Sequence, residues 1–224
     1  AVGLIIGLIV TAAFFVLIKL FPASIASVLT VAVYIRLTGG LHFDGLGDTA
    51  DGLFSNRPKD KILEIMKDSR VGTNALLTVA ITLLLYVAFI NSLGDVSSEL
   101  GDVPSLLILT LMPAAGRTGS LVGCGTSSYA GVSDGPGRWC VEHCGLQDVL
   151  LGIFIYSAVS LIAVIFSKMY FLLIPAFFAP VSAFILSKIL GRKLGGVTGD
   201  ILGAVCELNQ VVFLAIAYLC IKLI

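Results

Sequence analysis

Asp44, Asp48 and Asp51 stand four and three residues apart in the glycine-rich string Thr38-Gly-Gly-Leu-His-Phe-Asp-Gly-Leu-Gly-Asp-Thr-Ala-Asp-Gly52. On a helix those offsets put three carboxylates on one face. Like charges stacked in this way repel by about 0.2–0.5 kcal/mol per pair at a surface, and by more at low dielectric, unless a cation neutralises them. Oxygen-only donors favour a hard ion, and magnesium characteristically joins a few carboxylates to substrate phosphates while keeping part of its water. Gly39, Gly40, Gly45, Gly47 and Gly52 are costly in an ordinary helix, so they indicate close approach of backbone to backbone or to ligand. The competing reading is a solvated acidic loop, which has no need of helical acid spacing beside so much glycine.

Other polar groups fall into separate clusters. His42, two residues before Asp44, could serve as a base, a metal ligand or a structural hydrogen-bonder. Glu64-Ile-Met-Lys-Asp-Ser-Arg-Val-Gly72 brings Asp68, Arg70 and Lys67 to the start of an apolar run. Arg is the natural planar partner of phosphate oxygens, although both cations could equally anchor the chain at an interface. Gly195-Gly-Val-Thr-Gly-Asp-Ile-Leu-Gly-Ala-Val-Cys-Glu207 opens the last apolar stretch. There Asp200 and Glu207, seven residues apart, share a helix face with Gly203 and Ala204. Glu207 would sit about two turns into a bilayer, where a carboxylate without a partner is expensive and usually functional. It is expected to face the bundle interior, with Gly203 admitting the helix that carries Asp44. Arg117 and Ser120, after Met112-Pro-Ala-Ala-Gly116, form a patch that could grip a phosphate. Cys140-Val-Glu-His-Cys144 matches no common zinc spacing and reads as loop.

These clusters need a scaffold, and the composition says which kind. Of 224 residues 58% are hydrophobic and 12% charged, where a soluble domain is about a quarter charged. Seven apolar stretches, roughly 2–18, 24–37, 76–93, 106–122, 149–166, 170–186 and 201–224, mostly approach the ~20 residues of a spanning helix. The fold class expected is therefore an all-α polytopic membrane bundle of about seven helices, forming one integral membrane domain over residues 1–224. The second stretch is the shortest. The first lacks the basic start and small-residue cleavage site of a signal peptide, and reads as a span. The chain starts at Ala1, so an upstream piece is expected to be missing.

Lys and Arg gather in three loops, 38–73, 116–148 and 188–200, which the positive-inside rule assigns to the cytoplasm. Segment 94–104, with Asp95, Glu99 and Asp102 and no Lys or Arg, falls outside, as does the short turn at 167–169. The formal net charge is zero, so nucleic acid is not an expected partner. The five cysteines form an odd set without a secreted framework and read as thiols rather than a disulfide scaffold.

In order and in wording, TGGLHFDGLGDTADG, EIMKDSRVGT, the Arg117 patch and GGVTGDILGAVCE closely resemble the cobalamin synthase family, the adenosylcobinamide-GDP ribazoletransferases. The resemblance runs through essentially the whole chain. It implies a magnesium-requiring enzyme of the inner cell membrane, active on the cytoplasmic face. Its substrates would be adenosylcobinamide-GDP and α-ribazole or α-ribazole 5′-phosphate, with release of GMP. The acid motif is also similar to that of CDP-alcohol phosphotransferases, with different Asp spacing. Where the family often carries a further acid after the last motif, this chain has Gln210.

The residues suit in-line phosphoryl transfer. Asp44, Asp48 and Asp51 would hold magnesium. Asp200 and Glu207 would complete its shell or accept the proton of the attacking hydroxyl, and His42, Asp68, Arg70, Arg117 and Ser120 would bind substrate. Two rivals are a lipid-making CDP-alcohol phosphotransferase and a cation-coupled transporter. The transporter reading lacks internal repeats, and the acids crowd toward one face rather than the midplane. The sequence leaves the oligomeric state open, and an oligomer is compatible with it.

Overall fold

A computed structural model describes residues 1–131 and 135–223, apart from the side chains of 98–100. Among the described residues the chain forms ten α-helices: α1 (Val2–Leu20), α2 (Ala23–Thr38), α3 (Leu41–Phe54), α4 (Lys59–Ile65), α5 (Thr73–Leu100), α6 (Asp102–Thr126), α7 (Pro136–His143), α8 (Leu146–Ser167), α9 (Leu173–Gly191) and α10 (Gly199–Lys222). Six are long and apolar enough to cross a membrane: α1, α5, α6, α8, α10, and α9 with the 3₁₀ turn before it. The pair α2 and α3, bent by 91° at Gly39 and Gly40, can supply a seventh crossing. Both glycines take left-handed φ, +64° and +71°, which lets the chain turn so sharply between two helices. The all-α membrane bundle expected from the apolar periodicity is the fold.

Burial separates inner helices from outer ones. In their most apolar windows α6 is 67% and α10 56% buried, against 22% for α1, α5 and α8. The outer helices turn large apolar side chains outward, among them Leu84, Phe154, Phe166 and Phe177. A bilayer provides the apolar surroundings that such a belt requires. Small residues let the inner helices approach closely. Gly7 of α1, for example, lies directly on the Thr110 backbone of α6, with no room for a Cβ.

Two expected loops are partly helical. Residues 38–73 contain α3 and α4, and the loop expected over 116–148 begins only after Thr126, because α6 runs on through Arg117 and Ser120. Gly119 and Gly123 explain the extension: they pack against Asn209 and Leu202 of α10, so that burial continues past the apolar run. Segment 136–143, read as loop, is α7. A short parallel bridge, Ala130 N–H to Val197 O at 2.9 Å and Val197 N–H to Ser128 O at 2.8 Å, ties the segment after α6 to the one before α10. Residues 132–134, residue 224 and the Glu99 side chain lie outside the described residues.

Candidate active site

The acid string folds as α3, so Asp44, Asp48 and Asp51 do lie on one helix. What the spacing alone does not reveal is how close α10 comes. A Cβ added to Gly45 would stand 2.9 Å from the Asp200 Cα, and one on Gly203 would stand 3.3 Å from the His42 Cα. These contacts cross the two helices backbone to backbone. Thr198 caps α10, its side chain accepting from Ile201 N–H at 3.2 Å, which sets Asp200 in the first turn. The crossing brings Asp200 within electrostatic reach of Asp44 and Asp48. On α3, outside the six spans, the Asp48 carboxyl is pushed up to about 7, first by burial and then by the charges of Asp44, Asp200 and Asp51.

Asp51 plays a different part from its two neighbours. Its carboxylate accepts the backbone N–H groups of Gly72 at 2.7 Å and Ala75 at 2.9 Å, and so caps the start of α5 against α3. Asp44 and Asp48 instead line an open cleft of about 740 Å³, together with Gly40, Lys67, Asp68 and Arg70. Asp68 and Arg70 form a fork-like pair, with Arg70 Nε 3.0 Å from Oδ1 and Nη2 2.5 Å from Oδ2. Arg70 holds the Asp68 carboxyl down at about 2, and both groups face water.

Below the α3–α10 crossing lies a second, buried layer. Glu207 has no exposed surface. Its Oε1 accepts from the Tyr34 hydroxyl at 2.8 Å and its Oε2 from the Tyr86 hydroxyl at 2.7 Å. Gln210 Nε2 lies 2.8 Å from the Tyr34 oxygen, and His42 Nδ1 lies 3.6 Å from Glu207 Oε1. The interior-facing Glu207 required by the cost of burying a carboxylate is thus satisfied by tyrosine donors. Arg117 and Ser120 point into this layer and do not line the cleft. Arg117 Nη1 donates to Tyr34 at 2.9 Å, and Ser120 donates to the Leu202 carbonyl at 3.0 Å. Tyr34 and Tyr86 escaped the reading of the sequence. Each sits inside an apolar run, where a hydroxyl must find a partner, but nothing local says which.

Two donor sets can be compared for a metal. Asp44 and Asp48 on the open cleft, with Asp200 in electrostatic reach across the helix crossing, offer oxygens only, with repulsion that a divalent cation would relieve. Oxygen-only donors are of the type that magnesium takes. Among the described residues, the one set whose ligand atoms all lie within 4.8 Å of one another is instead His42, Cys206 and Glu207. That set is buried and mixed in donor type, and Glu207 already meets two hydroxyl donors.

Fold and site together define a class: a multi-pass helical membrane protein with a carboxylate cleft where α2 ends and α5 begins, beside the start of α10. Within it, the chain belongs to the cobalamin-5-phosphate synthase family, whose model matches residues 1–218. It is 46% identical over 218 residues to the adenosylcobinamide-GDP ribazoletransferase of Acetivibrio thermocellus, covering 97% of this chain and 84% of that one. The protein of the same description in Clostridium acetobutylicum is also 46% identical, with 97% and 82% covered. That of Alkaliphilus metalliredigens is 39% identical over 190 residues, with 84% and 69% covered. No solved structure matches the chain.

Proposed function

We propose that this chain is an adenosylcobinamide-GDP ribazoletransferase, joining α-ribazole or its 5′-phosphate to adenosylcobinamide-GDP with release of GMP. The observation that carries the reading from the site itself is the close crossing of α3 and α10, which sets Asp200 within electrostatic reach of Asp44 and Asp48, the two carboxylates that line the cleft with Lys67 and Arg70. Full-length similarity to relatives of that description supplies the substrates.

In the reaction an acceptor hydroxyl of ribazole attacks the phosphorus that bears the cobinamide. The bond from that phosphorus to the bridging oxygen breaks, a phosphodiester forms, and GMP leaves with the electron pair. Asp44 and Asp48 would hold magnesium, which when bound supplies positive charge to the diphosphate. Asp51 fixes the α3–α5 corner behind them. Asp200 takes the proton of the attacking hydroxyl. Lys67 and Arg70, on the same cleft, bind phosphate oxygens, with Asp68 presenting Arg70 in its planar geometry. No covalent enzyme intermediate is needed. We place the cleft on the cytoplasmic face of the cell membrane, a reading supported by the Lys and Arg bias of 38–73 and 188–200.

The test is incubation of purified protein in detergent with each substrate pair. Adenosylcobinamide-GDP with α-ribazole should yield GMP. CMP from CDP-diacylglycerol and an alcohol, with no GMP from the first pair, would replace this reading by a lipid-making one.

A further inference from the structure

A tyrosine hydroxyl has one proton and two acceptor positions. That of Tyr34, 1% exposed, uses all three: it donates to Glu207 Oε1 at 2.8 Å, and accepts from Arg117 Nη1 at 2.9 Å and from Gln210 Nε2 at 2.8 Å. The buried anion on α10 and the partly buried cation on α6 therefore meet through one oxygen carried by α2. The same ring packs edge-on against Phe43 and against Tyr86, with centroids 6.2 and 6.0 Å apart. Phe43 lies between His42 and Asp44 on α3, and Tyr86 of α5 holds the other oxygen of Glu207. Tyr34 of α2 thus touches α3, α5, α6 and α10 directly.

We propose that Tyr34 is a positioning residue for the transferase reaction: its hydroxyl links Arg117 to Glu207 and so holds α10, and Asp200 on it, against the acid face of α3. This rests on the transferase reading above. Two features favour positioning over direct chemistry. The Tyr34 hydroxyl has no position left for a substrate atom. Nor is it open to the cleft, which Asp44, Asp48 and Lys67 line without it. Arg117, similarly turned inward, acts through Tyr34 rather than on phosphate. Loss of the hydroxyl would leave the fully buried Gln210 and one oxygen of Glu207, and with them Arg117, without this shared partner, and the crossing would relax to satisfy them.

The experiment compares the wild-type protein, Tyr34→Phe, Arg117→Lys and the double variant, in GMP release and in thermal unfolding. Phenylalanine keeps the ring contacts and removes only the oxygen. The expected result is a fall in kcat of about tenfold or more for Tyr34→Phe, because small misplacement of catalytic groups costs rate. KM for both substrates should change little. The double variant should be no slower than the slower single one, since both changes break the same link. A Tyr34→Phe protein as fast as wild type, or effects that multiply in the double variant, would overturn the proposal. If Tyr34→Phe does not fold, Arg117→Lys, which breaks the same link from its other end, carries the test: an Arg117→Lys protein with wild-type kcat would overturn the proposal. A wild-type protein that releases no GMP would instead count against the transferase reading itself, a different outcome.

Discussion

Gly45 of α3 and Asp200 of α10 touch backbone to backbone: a Cβ on Gly45 would meet both the Cα and the carbonyl oxygen of Asp200 at 2.9 Å. Helix crossings this close need a residue without a side chain, and here the crossing joins carboxylates that are 156 positions apart in the sequence. Gly45→Ala should therefore push the helices apart. Overpacking of this kind costs about 1–3 kcal/mol, so the variant should melt at lower temperature and turn over at least about tenfold more slowly. Wild-type rate and melting temperature in Gly45→Ala would show that the crossing does not set the site.

The three aspartates of α3 should separate in their effects. Asp44→Ala and Asp48→Ala should abolish turnover without lowering the melting temperature in metal-free buffer, because each removes a charge that its neighbours repel. Asp51→Ala should lose turnover and stability together, since Gly72 and Ala75 lose their acceptor and a lost helix cap costs about 0.5–2 kcal/mol. Thermal unfolding beside rate assays on all three decides this. Equal stability in the three variants would remove the capping role of Asp51.

Magnesium binding should depend on pH with a definite sign. Asp48, pushed up to about 7, carries a proton at lower pH that a divalent cation must displace. Affinity measured by calorimetry should strengthen by up to about tenfold per pH unit as the pH approaches 7, then level off. Asp48→Asn should bind weakly at every pH. Affinity that does not vary with pH in the wild-type protein would contradict the assignment of Asp48 as a ligand.

Arg70 offers a contrast, because its pair with Asp68 is exposed and exposed ion pairs add little to stability. Arg70→Ala should leave the melting temperature unchanged. KM for adenosylcobinamide-GDP should rise, by less at high salt, where screening already weakens the wild-type contact. Unchanged KM at low salt would exclude Arg70 from phosphate binding.

How much of this could be read beforehand differs between fold and site. Apolar runs located the spanning helices, because lipid imposes a length and a composition that a single sequence displays. The helical spacing of Asp44, Asp48 and Asp51, and the shared face of Asp200, Gly203 and Glu207, placed two halves of the site. The end of α6 was only partly legible: the apolar run reaches residue 122, but the last turn to Thr126 looks like a loop until Leu202 of α10 is seen packed on Gly123. Tyr34 and Tyr86 were hidden for a similar reason, since 173 and 121 residues separate them from Glu207. The inward turn of Arg117 follows from that hidden partner, and Gln210 supplies an amide to the same oxygen.

The most direct measurement is the stoichiometry of GMP release by wild-type protein and by Asp48→Asn, in detergent, with magnesium and adenosylcobinamide-GDP, each with and without α-ribazole. Wild-type protein should release one GMP per α-ribazole consumed and none without it, while Asp48→Asn, still folded, should release none in either case. GMP release that does not require α-ribazole, or that Asp48→Asn sustains undiminished, would contradict transfer at the α3–α10 carboxylate cleft.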